Sequence, residues 1–169
     1  MDTLEAIFTR RSIRAYTGQP VPAEMVETLL RAAMQAPSAG NQQAWQFVAI
    51  TGRPQLNALA EVLPYGKMLT TAPLGIVVCG DLELEKSKGY WVQDCSAATQ
   101  NILLAAHALG LGAVWLGVYP REQRVLDVRN TLGIPESAIP LCAIAIGYPA
   151  EQKPRADRYE PARVHQNAW

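Results

Sequence analysis

Two stretches of the chain are apolar over a strand's length, residues 74–80 (LGIVVCG) and 141–148 (LCAIAIGY). A strand with one wet face alternates apolar and polar side chains, so an unbroken run has to be covered on both faces. Both runs therefore read as buried strands, and the other segments have to supply the covering layers. Thr3 is placed to cap a short helix reaching about Thr9, with Glu5 in its first turn. Pro22 suits N1 of a helix running to about Ala36, with Val26, Leu29, Leu30 and Ala33 on one face and Pro37 as its stop. Residues 45–51 read as a strand, 54–63 as a helix, 92–109 as a long Ala- and Leu-rich helix ended by Gly110-Leu-Gly112, 113–118 as a strand and 121–132 as a helix. The order is ααβαβαβαβ, and such alternation locally predicts a parallel sheet.

With no repeat and no low-complexity tract, residues 1–169 read as a single domain with a tail, 149–169. The tail holds Pro149, Pro154 and Pro161, and fully extended it reaches about 70 Å. Tyr159, Val164 and Trp169 within it argue for an ordered arm packed on another surface rather than a disordered end.

Charge narrows the function. Fifteen basic and fifteen acidic residues give a net charge of zero, which disfavours a nucleic-acid binder. The cations cluster as Arg10, Arg11 and Arg14 near the start and Lys153, Arg155, Arg158 and Arg163 near the end, a pattern suited to a small anionic ligand. Three scattered cysteines and two histidines lack zinc-site spacing, so no metal is expected, and Cys79 and Cys142 read as inert core thiols of a reduced, cytoplasmic chain. The N-terminus lacks a signal-peptide pattern. Residues 92–109 carry Gln93, Asp94, Gln100, Asn101 and His107, too many polar groups for a membrane span.

Three segments carry candidate chemistry. In an extended Arg10-Arg11-Ser12-Ile13-Arg14, alternate side chains share a face, so Arg10, Ser12 and Arg14 would converge on a phosphate or another planar anion, with Arg11 and Ile13 opposite. A solvated basic turn has the same composition. The loop 37–45 (PSAGNQQAW) pairs small residues with amides, which suits a flat heteroaromatic ring with hydrogen-bonding edges and equally an ordinary capping loop. Residues 110–117 (GLGAVWLG) are not a dinucleotide fingerprint, because the glycines precede a strand, but the strand end Trp115-Leu116-Gly117 offers backbone groups to a ligand. There is no G-x-S-x-G, H-E-x-x-H or P-loop, and Asp94 and His107 lie too far apart on one helix to pair. Such sparse acid–base machinery fits an enzyme whose cofactor does the chemistry.

Taken in order, these segments resemble the nitroreductase family over nearly the whole chain. RRSIRAY is similar to its R-x-S-x-[RK] motif, and PSAGNQQAWQF to its P-S-x-x-N-x-Q-P-W-x-F segment, with Ala44 where proline is usual. KMLTTAPLGIVVCGD resembles the next strand, HALGLGAVWLG the A-x-G-L-G-x-x-W-x-G segment, and IAIGYPAE the last core strand. The resemblance implies an α+β nitroreductase-like fold with a mixed, mainly antiparallel sheet flanked by helices, in place of the parallel sheet. It also implies an intertwined homodimer whose C-terminal arms exchange and whose interface holds two FMN sites. Arg10, Arg11 and Ser12 would then be phosphate and ribityl ligands, Arg14 the cation beside flavin N1 and O2, and Pro37, Ser38 and Asn41 ring contacts from the partner chain. Trp115, Leu116 and Gly117 would approach the ring, the Gly117 N–H donating to N5. Arg155 or Arg158 would complete the phosphate site, with Lys153 still open. No side chain is implied as catalytic, because the flavin carries hydride from NAD(P)H to a nitroaromatic, quinone or enone by a ping-pong cycle. A non-catalytic FMN-binding or redox-sensing module and a specialised reaction of the same superfamily are the alternative readings. The chain is short for the family, with only residues 82–90 where many members insert a lid, and Tyr65, Lys67, Tyr90 and Trp91 are candidates to line the opening.

Overall fold

A computed structural model describes all residues, 1–169. Its elements run α1 (Thr3–Thr9), α2 (Ala23–Met34), β1 (Trp45–Ile50), α3 (Arg53–Val62), β2 (Leu74–Asp81), α4 (Trp91–Ala108), β3 (Gly112–Gly117), α5 (Glu122–Leu132) and β4 (Ala138–Gly147). The strands form one sheet in the order β1-β2-β4-β3, and every pairing between them is antiparallel. A single parallel bridge, Ser12 to Ala113, adds the arginine segment to the β3 edge. The sheet is thus mainly antiparallel with one parallel edge contact, and the parallel sheet that local alternation predicts does not form. The reason lies in the connections: a helix between two strands shows that the chain leaves the sheet, not from which end it returns. After α3 the chain runs back through residues 63–73 and enters β2 beside β1 in the opposite direction.

The central strands β2 and β4 are buried nearly throughout. Their alternate residues feed two cores. Leu74, Ile76, Val78, Ile144 and Ile146 meet Leu29 and Ala33 of α2 and Cys95, Ala98 and Ile102 of α4. Val77, Cys79, Ala143 and Ala145 meet Leu56 and Leu59 of α3 and Val128 of α5. Burial of this kind contributes about 1.5–3 kcal/mol per large aliphatic side chain. All three cysteines are free and buried, and burial pushes the Cys79 and Cys142 thiols up to about 12. No helix is long and apolar enough to cross a membrane.

Element ends differ from expectation where one side chain decides. Asp2, not Thr3, caps α1, its carboxylate accepting from the Glu5 N–H at 3.0 Å. β4 starts at Ala138 and runs through Pro140, because the ladder shifts register between Val78 and Cys79 opposite that proline.

Gly80 faces the indole of Trp91, and a Cβ there would lie 2.2 Å from a ring carbon. Trp91 is itself buried and packs edge-on against Tyr119, so it has little room to withdraw. Gly80→Ala is expected to cost about 1–3 kcal/mol through overpacking, read as a lower urea midpoint with an unchanged slope.

Candidate functional site

The arginine segment leaves α1 and docks on β3. The Ile13 N–H donates to the Ala113 carbonyl at 3.0 Å, and the Tyr16 hydroxyl lies 2.7 Å from the Ile13 carbonyl and 2.9 Å from that of Ala145. Ile13 sits directly on Gly112, where a Cβ would meet its Cγ2 at 2.6 Å, so glycine is what permits this approach. The chain after β4 then lies along the same segment. The Ala150 N–H donates to the Ala15 carbonyl at 2.9 Å, the Arg14 N–H to the Glu151 carboxylate at 2.5 Å, and Lys153 Nζ to the Ser12 carbonyl at 2.8 Å; Arg11 donates to the Pro154 carbonyl. The bond from Arg14 holds the Glu151 carboxyl below the usual carboxylate range.

Four guanidiniums surround one cavity of about 630 Å³: Arg10 and Arg11 from the segment, Arg155 and Arg158 from the tail. Ile7, Phe8, Ala156 and Tyr159 line it too, and Asp157 is its one carboxylate. None of these arginines is in an ion pair; the chain's two salt bridges are Arg31–Glu27 and Lys153–Glu151. Burial, then repulsion from Arg158 and Arg11, pulls Arg10 below the ordinary guanidinium value. A cavity with this much unneutralised positive charge is built for an anion. Lys153 is already engaged by Ser12 and Glu151, so the tail cations that face the cavity are Arg155 and Arg158.

Arg14 faces elsewhere. It lines a second cavity, of about 180 Å³, with Leu63, Pro64, Tyr65, Trp115, Leu116, Gly117 and Arg124. The expected face shared by Arg10, Ser12 and Arg14 is therefore corrected: Arg10 and Arg11 share one cavity and Arg14 opens on another. Arg10 is the C-cap of α1, so strict strand alternation does not extend back to it. A Cβ at Gly117 would meet no atom within 4 Å, which leaves the backbone there open to a flat group.

The loop after α2 is held by a buried carboxylate. Asp94 of α4 accepts from the Ala39 N–H at 2.9 Å and from Gln42 Nε2 at 2.6 Å, while Gln42 Oε1 accepts from the N–H groups of Lys86 and Ser87, both at 2.8 Å. Asn41 and Gln43 adopt positive φ, 54° and 52°, and Ser38 Oγ accepts from the Gln43 N–H at 3.0 Å. This leaves Pro37 and Asn41 exposed and Ser38 half-buried, beside a shallow cavity that Tyr90 and Gln93 also line. At the other end of α4, His107 Nε2 lies 2.8 Å from Thr9 Oγ1, next to Arg10. Burial and then Arg10 lower the His107 pKa, against a smaller opposing effect of Glu5. Asp94 and His107 are separated by about 20 Å along the helix axis at 1.5 Å per residue. Pro37 and Ser38 line neither the cavity of the four arginines nor that of Gly117, and Asn41 lines none of the three cavities.

The sequence reading did not assign Gln42, Asp94 or Arg124 to the site. A carboxylate amid the apolar face of α4 was the visible signal for Asp94. For Arg124 the signal was a cation in the first turn of a helix, where the helix dipole disfavours it. Of the residues considered for the opening, Tyr65 lines the Gly117 cavity, Tyr90 lies by Ser38, Trp91 is in the core, and Lys67 lines none of these three cavities. Gln42→Leu should leave two loop N–H groups and one Asp94 oxygen without partners, at a cost of about 2–4 kcal/mol. Thermal unfolding of the variant checks this, with faster proteolysis in residues 82–90 as its local sign.

Comparison with known proteins gives one consistent result. The family profile described as "Nitroreductase family" matches residues 7–148. A protein of Methanothermobacter thermautotrophicus, provisionally named NADH dehydrogenase/NAD(P)H nitroreductase, is 53% identical over 100% of this chain and 88% of its own length. A crystal structure from Parabacteroides distasonis, under the same provisional name, superposes with a TM-score of 0.95 at 43% identity, covering 99% of this chain and 98% of that one. A provisionally named nitroreductase of Desulfovibrio desulfuricans, crystallised with FMN, gives a TM-score of 0.86 at 34% identity and covers 100% and 99% of the two chains.

Proposed function

The chain belongs to the nitroreductase family, and on that premise we propose that it is a homodimeric, cytoplasmic FMN enzyme that passes hydride from NAD(P)H to an electron-poor nitroaromatic, quinone or enone. One observation carries this reading: four unpaired guanidiniums surround one cavity, and the segment that supplies two of them ends in a third cation, Arg14, beside the open backbone of Gly117. Arg10 and Arg14 are at most about 13 Å apart along that segment at 3.3 Å per residue. The donor set fits FMN, with a dianionic phosphate for the arginines and a flat ring for the glycine strand end. The provisional name of the archaeal relative and the FMN in the Desulfovibrio structure support the same assignment.

Bound there, FMN supplies the hydride-accepting and hydride-donating centre for which the side chains offer no acid–base pair. The chain's own groups bind and orient. Arg10, Arg11 and Ser12, with Arg155 or Arg158, hold the phosphate and ribityl groups through charge-assisted hydrogen bonds. Arg14 sets a positive charge at the N1–O2 edge, and the Gly117 N–H is the donor toward N5, with Trp115 and Leu116 along the ring. Pro37, Ser38 and Asn41 of a second copy would close the other side, since in this chain they line neither of the two arginine cavities. NAD(P)H and acceptor use one open face in turn, which gives ping-pong kinetics.

The purified protein is expected to show flavin absorbance, to release FMN on denaturation, and to bleach when NADH or NADPH is added without oxygen. A colourless protein contradicts the proposal, and a flavin that neither nucleotide reduces makes the chain a binding module instead. Arg10→Ala should weaken FMN binding about tenfold to a hundredfold, the effect of one charge-assisted hydrogen bond, with the apoprotein's thermal midpoint nearly unchanged.

A further inference from the structure

The Gly117 cavity holds more positive charge than the proposed cofactor edge uses. Arg14 and Arg124 both line it, no carboxylate does, and neither arginine has an ion-pair partner. Arg14 comes from the segment that also carries the proposed phosphate ligands. Arg124 comes from the opposite wall, the first turn of α5, where the positive end of the helix dipole opposes a cation. It is nevertheless held in place: Nη1 donates to the Gly117 carbonyl at 3.1 Å, and the guanidinium lies 6.0 Å from the centre of the Tyr65 ring. One of its five N–H donors is engaged in that bond. Tyr65 is 74% exposed. An aromatic face and a guanidinium at the lip of a small cavity form a binding wall for a ring that bears negative charge.

We propose that Arg124, held over Tyr65, determines acceptor specificity: it selects a planar conjugated acceptor that carries an oxyanion, either a carboxylate or an ionised ring hydroxyl. The inference rests on the FMN reading for the redox chemistry, but the recognition belongs to these two side chains alone. Position favours the acceptor as the anion's source: Arg124 is anchored on the Gly117 carbonyl and Tyr65 is exposed beside it, so both border the strand end against which the flavin ring is proposed to lie.

The test uses the flavin-loaded protein and two non-reducible ligands of equal shape, benzoate and benzamide, titrated by isothermal calorimetry. The wild type should bind benzoate more tightly. Arg124→Gln should cut the ratio of benzamide to benzoate Kd about tenfold or more, Arg124→Lys should restore part of it, and Tyr65→Leu should weaken both ligands alike. The same ratio should appear in kcat/KM for 4-nitrobenzoate against 4-nitrobenzamide. A ratio unchanged in Arg124→Gln overturns the proposal, as does an effect confined to the preference for NADPH over NADH, which would place the phosphate of the reductant on Arg124. Flavin content of the same preparations separates the two levels: a colourless wild type removes the FMN reading, whereas a loaded enzyme with an unchanged ratio removes only the role of Arg124.

Discussion

The buried Asp94 carboxylate ties the N-terminal end of α4 to the loop of Ser38 and Asn41, and the Thr9–His107 contact ties its C-terminal end to the arginine segment. A helix is stiff over this length, so these two attachments fix how far the loop stands from the start of the arginine segment at Thr9. Each half is finished locally. The loop is set by Gln42 and two residues at positive φ, and the segment by its parallel bridge to β3 and the Tyr16 hydroxyl. Neither can reach the other without breaking buried hydrogen bonds, each worth about 1 kcal/mol when paired and more when orphaned. The proposed site uses both halves by drawing them from two chains.

The proposed two-chain site also bears on the apolar side chains that this chain leaves exposed. Leu4, Ile7 and Phe8 of α1 are open to solvent, as are Tyr159, Val164 and Trp169 of the tail. The tail is anchored as far as Pro154 by bonds to Arg11, Ser12 and Arg14, and beyond that point it is nearly all exposed. Its arginines nonetheless join Arg10 and Arg11 around one cavity. Four like charges with one carboxylate among them oppose folding, and a bound dianion would reverse the sign of that contribution. Arg124 in the first turn of α5 is a second cost of this kind. Departures from local rules concentrate at sites with a function, and here they concentrate at the two cavities that the arginine segment lines.

The core was legible because its signal is local. Residues 74–80 and 141–148 lack alternation, and they became the two strands buried on both faces. Strand direction was not legible from the residues, because it depends on where the connections return; the resemblance, not the periodicity, supplied the antiparallel sheet. Pro140 hid the start of β4, since the bulge beside it, with Leu141 as the extra residue, shows only in how β4 pairs with β2. Likewise, a helix end upset the alternation that would have put Arg10 and Arg14 together. The arginines, the Ser38 loop and Gly117 were visible as residue types at fixed spacing. Gln42, Asp94 and Arg124 were not assigned, because each matters through a partner far away in sequence: Lys86 and Ser87, Ala39, and Tyr65 respectively.

The most direct measurement of the two-chain site is the flavin content of a purified heterodimer, assembled by co-expressing two differently tagged variants, Arg10→Ala and Asn41→Ala. Each homodimer should hold little FMN, because every one of its sites is damaged. In the heterodimer, a site shared between chains is doubly damaged in one copy and intact in the other, so about half of full occupancy should return, by two-fold symmetry. A heterodimer no richer in FMN than its parents would place both residues on the same chain's site and contradict the account.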